Sequence, residues 1–417
     1  MKQKLFVLIA LFSLTLVFSC SKSDGPNFED QLPGITSISP EKIYTGTQVT
    51  INGKNFSNDT AAITLWIDNQ IIPVSAATTS SVTFTIPLHF LTTGQKACSV
   101  QLDVKQQNVI YSAHDSITIS YQEPHGWFYT TTLPVPGDYP VYKQLIFPTD
   151  SIGYVRSDIT LYMTTDGGIT WKGDINNGGF SHGSAVASSD GKNVWLESIA
   201  DVLVGTNGIN TWTIPAGTHY NSLIAGLYTT DPANGLVALA CGKLYDINGS
   251  FSGATIKYQS PFYVNDNTGV WQKMSAIDKD NLILTGRYNK FVIEKAGVFS
   301  EGDLSSLSGT NVITTGLQMV DANTIFLVNS NDELIKYSGN TWTKLSQKAN
   351  AVYFINTTTG YIAYNDKILK TTDGGASWAE LFTLKASEKA GVICARNGKI
   401  WVIGNGDKQS FVLKYNP

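Results

Sequence analysis

Charge is scarce in this chain. Only 15% of its 417 residues are Asp, Glu, Lys or Arg, and arginine is confined to Arg156, Arg287 and Arg396. Nucleic-acid binding needs clustered Lys and Arg, and a chain of net charge −4 with so little arginine argues against it. Cysteine is equally sparse. Cys20, Cys98, Cys241 and Cys394 form no Cys-x-x-Cys, so neither a disulfide framework nor a zinc site is indicated. The last three read as small buried apolar side chains. The histidines (His89, His114, His125, His182 and His219) have no metal-ligand spacing. There is no Gly-x-Ser-x-Gly elbow and no phosphate loop, and neither a metal nor a cofactor is expected. Beyond Phe18 no apolar run is long enough to span a bilayer.

What is present begins at the first residue. Lys2 and Lys4 precede an apolar run from Leu5 to Phe18, followed by Ser19-Cys20. This is the charged, then apolar, layout of an export leader. A small residue before a lone Cys resembles a lipobox, which implies cleavage after residue 19, lipidation of Cys20 and attachment to a membrane. Residues 20–32 are polar and read as a tether. Their acidic residues resemble signals that send lipoproteins to the outer face of the outer membrane, so the expected location is the cell envelope.

From Leu32 to Tyr121 apolar residues alternate with a period of two, interrupted by turn chemistry. The expected strands are Ile35–Ile38, Gln48–Asn52, Ile63–Ile67, Ile71–Ala76, Val82–Ile86, Ala97–Val104 and Ser116–Tyr121. That many short strands in a segment of this length indicate an immunoglobulin-like sandwich. Trp66 and Cys98 are expected in its core. The wording Pro33-Gly34-Ile35-Thr36-Ser37-Ile38-Ser39-Pro40, then Gly46 to Ser57, resembles the IPT/TIG family over residues 33–121. The resemblance implies a spacer or contact module and no catalysis. It places Gly53 and Asn55 at the bend after the second strand, with Phe56 plugging the core.

Residues 122–126 read as a short linker. The segment 126–417 then carries a repeat. Thr164-Thr165-Asp166-Gly167-Gly168-Ile169-Thr170-Trp171 returns as Thr371-Thr372-Asp373-Gly374-Gly375-Ala376-Ser377-Trp378. Asp accepts backbone hydrogen bonds in a tight turn, Gly takes a positive φ, and Trp plugs the gap to the next unit. This pattern resembles the Asp-box of BNR repeats, whose Asp166, Gly168, Trp171, Asp373, Gly375 and Trp378 are then structural. A weaker motif recurs roughly every forty residues, at Gly153-Tyr154, Val194-Trp195, Gly235-Leu236, Asn281-Leu282, Thr324-Ile325, Gly360-Tyr361 and Lys399-Ile400. Four strands per unit make a propeller blade. The last unit lacks an outer strand, and residues 126–134, with Trp127, carry that pattern alone. The expectation is therefore an all-β chain, with an immunoglobulin-like sandwich followed by a seven-bladed β-propeller closed by an N-terminal outer strand. It resembles photosystem assembly-factor and sortilin-type propellers, a superfold that hosts unrelated activities.

Ligands of propellers bind where the loops between second and third strands meet the blade-joining loops. The first set offers Arg156, Asp158, Arg287, Tyr288, Asp332, Asp366 and Asp407. The second offers Tyr142, Phe180, His182, His219, Tyr220, Tyr263 and Asn265. Aromatic faces beside amides and carboxylates suit a sugar, while Asn, Asp and Gly are also what tight turns require. Sialidases carry Asp-boxes, but their chemistry needs an arginine triad on a carboxylate. Arg396 falls in a hairpin at the end opposite Arg156 and Arg287, and the Arg-Ile-Pro motif is absent. A glycosidase needs a carboxylate pair, for which Asp158, Asp332, Glu333, Asp366 and Asp407 are available without any spacing that selects two. The expected function is non-catalytic binding of a glycan or partner protein, with a carbohydrate-active hydrolase or lyase as the alternative and an assembly scaffold as the second alternative. Oligomeric state is not legible.

Overall fold

A computed structural model describes residues 31–417 except 92–93, 131, 134–140, 158–159, 175–184, 199, 210, 218, 232–233, 262–269, 311 and 407–408. The leader, Cys20 and most of the tether lie outside the described residues, as do Asp158, Phe180, His182, Tyr263, Asn265 and Asp407. The described chain is built of strands and turns and divides into two compact units.

The first unit packs two antiparallel sheets. One holds Gly34–Ser39, Gln48–Lys54, Ser81–Thr85 and Val74–Ala77; the other holds Ile43–Tyr44, Val109–Ser120, Gln95–Gln106, Ile63–Ile67 and Gln70–Ile72. Alternation sends Val49, Ile51, Leu65, Ile67, Val82, Phe84, Val100 and Leu102 into a core that excludes water. Phe56 is buried as expected, and Asn55 takes a φ of +59° at the bend. The expected strand Ile71–Ala76 is instead two strands in different sheets. They part at Pro73, which has no N–H to give a ladder. Trp66 is not in the core. It lies between buried Leu65 and Ile67, so the pleat turns it to the other face, where its Nε1 donates to Asp103 Oδ2 at 3.1 Å. Cys98, like Cys241 and Cys394 in the second unit, is buried and free.

In the second unit, the described residues form seven four-stranded antiparallel sheets in succession. Their innermost strands are Tyr142–Ile146, Ala185–Ala187, Ile224–Asp231, Trp271–Asp278, Thr314–Asp321, Ala351–Phe354 and Lys389–Arg396. Each recurring motif read from the sequence falls at the start of a sheet's second strand. The seventh sheet takes its outer strand from Gly126–Tyr129, which pairs with Ser410–Asn416 so that Trp127 lies opposite Tyr415. Apolar clusters sit between consecutive sheets. Tyr154 and Leu161 of the first pack with Val194 and Leu196 of the second, and so on to Val392, Trp401 and Ile403 of the seventh, which pack with Leu145, Val155 and Tyr162 of the first. This is a propeller-like arrangement, with side chains of both faces of every sheet buried against a neighbour.

Residues 123–126 are tied down rather than free. Glu123 pairs with Lys399 at 3.3 Å and with Lys414, Asn416 Nδ2 donates to the Pro124 carbonyl at 3.0 Å, and His125 Nδ1 lies 3.0 Å from the Pro417 carbonyl oxygen.

Candidate functional site

Register places the two ends of the sheets. Tyr142 lies opposite Ser157, Ile224 opposite Leu239, Trp271 opposite Gly286, Thr314 opposite Asn329 and Lys389 opposite Asn405. The innermost strands therefore start where the second strands end, and the loops read as ligand-facing share one end of each sheet. The Asp-box turns, between third and fourth strands, lie at the other end.

The two Asp-boxes have the same bonds. Asp166 Oδ1 accepts from the Thr164 hydroxyl at 2.8 Å and from the Ile169 and Thr170 N–H groups at 3.0 and 2.9 Å. Gly168 N–H donates to Thr164 Oγ1, and Trp171 Nε1 to the Gly168 carbonyl at 3.2 Å. Asp373, Thr371, Gly375 and Trp378 repeat the pattern. The Ser377 hydroxyl and N–H, with Thr371, hold the Asp373 carboxyl well below the ordinary range. Gly168 and Gly375 take φ of +89° and +92°, open to glycine at no steric cost. Each box also grips the preceding sheet. Trp171 meets Phe147 edge-on, Phe147 stacks on Trp401 at 3.8 Å, and Trp401 Nε1 donates to the Gly167 carbonyl at 2.8 Å. In the second box Trp378 meets Phe354, Phe354 stacks on Phe326 at 3.4 Å, and Lys336 Nζ donates to the Gly374 carbonyl at 2.9 Å. Gly153 and Gly360 make room for Phe147 and Phe354, since a Cβ at either would lie within 2.6 Å of the ring. The Asp carboxylates, the Thr hydroxyls and the Trp indoles of both boxes are engaged within the fold by these contacts.

At the loop end the candidate residues separate. Tyr288 is exposed (64%) on the turn after Gly286, with a φ of +58°, beside exposed Arg287. His219 is exposed and its Nδ1 lies 3.0 Å from Asp201 Oδ1. Asp332 accepts from Asn350 Nδ2 at 2.8 Å, and Asn350 Oδ1 accepts from Asn365 N–H at 3.0 Å, so Asn350 ties the Asp332 loop to the turn that carries Asp366. Arg156 and Tyr220 are elsewhere. Arg156 is 1% exposed and reaches the Glu197 carbonyl at 3.4 Å within the sheet stack. Tyr220 is in the core between the second and third sheets, against Tyr245. The sequence reading places both in loops, but Arg156 belongs to the second strand itself, and the tyrosine fills an apolar gap.

The structure adds a feature the sequence reading missed. In the first, third, fourth, fifth and seventh sheets the innermost strand slips register by one residue near its start, at Lys143, Ala225, Gln272, Thr315 and Gly391. Such bulges re-aim a side chain out of the ladder. Four of the five line a cavity of about 280 Å³ between the innermost strands, together with Tyr142, Gln144, Lys273, Asn350 and Tyr353. Its wall is polar by construction, because each innermost strand is a sheet edge with backbone N–H and C=O groups unused by the ladder. A signal was available in Tyr142-Lys143-Gln144 and Trp271-Gln272-Lys273, where an aromatic residue precedes two long polar ones at the same place in the repeat.

Burial lowers the affinity of Lys273 for its proton, the nearby charge of Lys143 lowers it further, and Glu197 acts in the opposite sense; the net result is below the ordinary lysine range. Among the described residues no group of His, Cys, Asp and Glu is placed to hold a metal.

The IPT/TIG domain family matches residues 33–121. That assigns the first unit. No curated protein matches the chain. Among solved structures, YCF48 bound to D1 peptide is similar with a TM-score of 0.56 at 14% identity, covering 71% of this chain and 98% of that one. YCF48 from Cyanidioschyzon merolae follows at 0.52 and 15%, covering 70% and 99%. The β-propeller domain of Cps50 (Swd1) from Myceliophteria thermophila matches at 0.50 and 11%, covering 70% and 100%. At these identities the likeness concerns fold, and the fold is that of a β-propeller.

Proposed function

We propose that this is an exported, lipid-anchored protein whose propeller binds a glycan without turning it over. In this reading residues 1–19 are the leader and 20–32 the tether. The IPT/TIG domain spans 33–121, and 126–417 form a seven-bladed propeller closed by the outer strand at its N-terminus. The observation that carries the reading is the loop end of the propeller, where exposed Tyr288, the Asp332–Asn350–Asn365 link and a polar axial cavity occur together. An aromatic face offers stacking to the apolar side of a sugar ring, and amides and carboxylates pair with its hydroxyls. A partner protein is the second reading, favoured by the peptide bound to YCF48.

A glycan array followed by calorimetry tests the binding site. Tyr288→Ala is expected to weaken the glycan identified by about 1 kcal/mol, the worth of an aromatic contact. Asp166→Ala, which removes several turn hydrogen bonds, is expected to lower stability by about 2 kcal/mol and leave the affinity of the folded protein unchanged. No response on the array would turn the reading to a protein partner. Turnover that vanished with one loop-end carboxylate would replace binding with hydrolysis.

The anchor rests on Ser19-Cys20 after an apolar run. Among the described residues no helix is long and apolar enough to cross a membrane. Mass spectrometry of membrane-extracted protein is expected to find lipid on Cys20, and Cys20→Ala to move the protein to the soluble fraction. Unlipidated wild type, with the variant still on membranes, would remove the anchor from the reading.

A further inference from the structure

We propose that the axial cavity is a binding site for a small hydroxylated carboxylate, of the size and chemistry of a uronic acid. This deepens the glycan-binding reading and rests on it for the biological source of the ligand, though not for the site. Lys143 and Lys273 line the same cavity from the innermost strands of the first and fourth sheets. Among the described residues neither forms a salt bridge, although thirteen ion pairs occur elsewhere. Two like charges brought to one cavity repel, the Glu197 carboxylate near Lys273 offsets this only in part, and an anion between the lysines converts the repulsion into attraction.

The second requirement comes from Gln272. Its side-chain carbonyl oxygen is buried with no hydrogen-bond partner among the described residues. An acceptor left unpaired costs free energy, so its complement is a donor on the ligand. A ligand hydroxyl supplies one; a bare anion such as sulfate does not. The backbone edges of the innermost strands offer further donors and acceptors around the same axis. Size sets the third limit. Pockets for drug-sized ligands run from roughly 300 to 1,000 Å³. At about 280 Å³ this cavity admits a monosaccharide-sized molecule and excludes a folded peptide. The bulges make the site possible, because in a regular ladder Lys143 and Gln272 would alternate with their neighbours toward the adjacent sheets.

Calorimetry on the full chain with D-glucuronate, D-glucose and inorganic sulfate tests the proposal. Glucuronate is expected to bind and glucose not to. Lys273→Met is expected to weaken glucuronate at least tenfold. Should that variant unfold, Lys143→Met on the exposed rim of the cavity provides the same test with an expected loss of several-fold. Sulfate binding as tightly as glucuronate would overturn the sugar-acid assignment. So would glucuronate affinity unchanged in both lysine variants. A neutral glycan that binds on the array and is insensitive to Lys273→Met would overturn this site while leaving the glycan reading intact. Glucuronate binding lost in Lys273→Met, beside an empty array, would uphold the site and remove the glycan reading.

Discussion

Replacing Glu123 with alanine is expected to destabilise the propeller by about 3–5 kcal/mol, the cost of removing one partner from a buried ion pair. Lys414 is the reason. Its side chain is fully buried, its ammonium meets Glu123, and it sits 5.7 Å over the Trp401 ring. Glu123 is partly exposed and also pairs with Lys399, which places the loss toward the lower end of that range. The double variant Glu123→Ala/Lys414→Met is expected to recover most of the loss, since an apolar side chain of similar length needs no counter-charge. Urea midpoints at constant slope provide the measurement. If the single and double variants lost the same stability, the pair would not be what holds residues 123–126 to the sheet. Acid provides an independent check. Burial opposes ionisation of Glu123, but the hydrogen bond and charge of Lys414, with Lys399, outweigh it and hold the carboxyl below its ordinary value. A depressed carboxyl contributes stability that is fully present above its unfolded pKa of about 4.3 and is lost as pH falls through the folded value. The gap between wild type and Glu123→Ala should therefore narrow below about pH 4.

The sequence was informative where a local rule set the geometry. Period-two alternation located most strands of the IPT/TIG domain. It failed at Ile71–Ala76, where Pro73 outweighed the pattern, and at Trp66, where aromatic character was read as burial against the parity of its neighbours. The Asp-box turn chemistry, from Thr164 to Trp171, was readable because each residue type has one job in the turn. The box is longer than the motif. Phe147 with Gly153-Tyr154 returns at the same offset as Phe354 with Gly360-Tyr361, a second printed half of the same module. Loop-end residues were harder to place. Arg156 and Tyr220 are polar or amphipathic side chains that the sheets bury, and nothing local distinguishes them from exposed Tyr288. The bulged lysine and glutamine of the cavity carried only the signal of an aromatic residue before two long polar ones, since a one-residue slip is a property of two paired strands and not of either alone.

The largest single-residue loss within a sheet interface should come from Trp401→Ala, on the order of 3–5 kcal/mol, as for other buried tryptophans cut to alanine. Trp401 has no exposed surface, lies flat on Phe147 of the first sheet and donates to the carbonyl of Gly167 in the first Asp-box. Its removal opens a void and leaves that carbonyl without its donor at the junction of the seventh and first sheets. The protein contains a comparison for this junction. Between the fifth and sixth sheets the same place is held by Phe326, which has no donor, and Lys336 reaches the Gly374 carbonyl instead. At the seventh sheet Lys414 lies near Gly167 but is engaged by Glu123, so the indole must serve the carbonyl. Trp401→Phe should therefore keep the stack and lose mainly a hydrogen bond, about 1 kcal/mol. In a Glu123→Ala background Lys414 is released to take the Lys336 role, and Trp401→Phe should cost less there than in wild type. A double-mutant cycle on urea midpoints measures that coupling. Additive losses would show that the two junctions, alike in their rings, do not share a way of satisfying the box carbonyl.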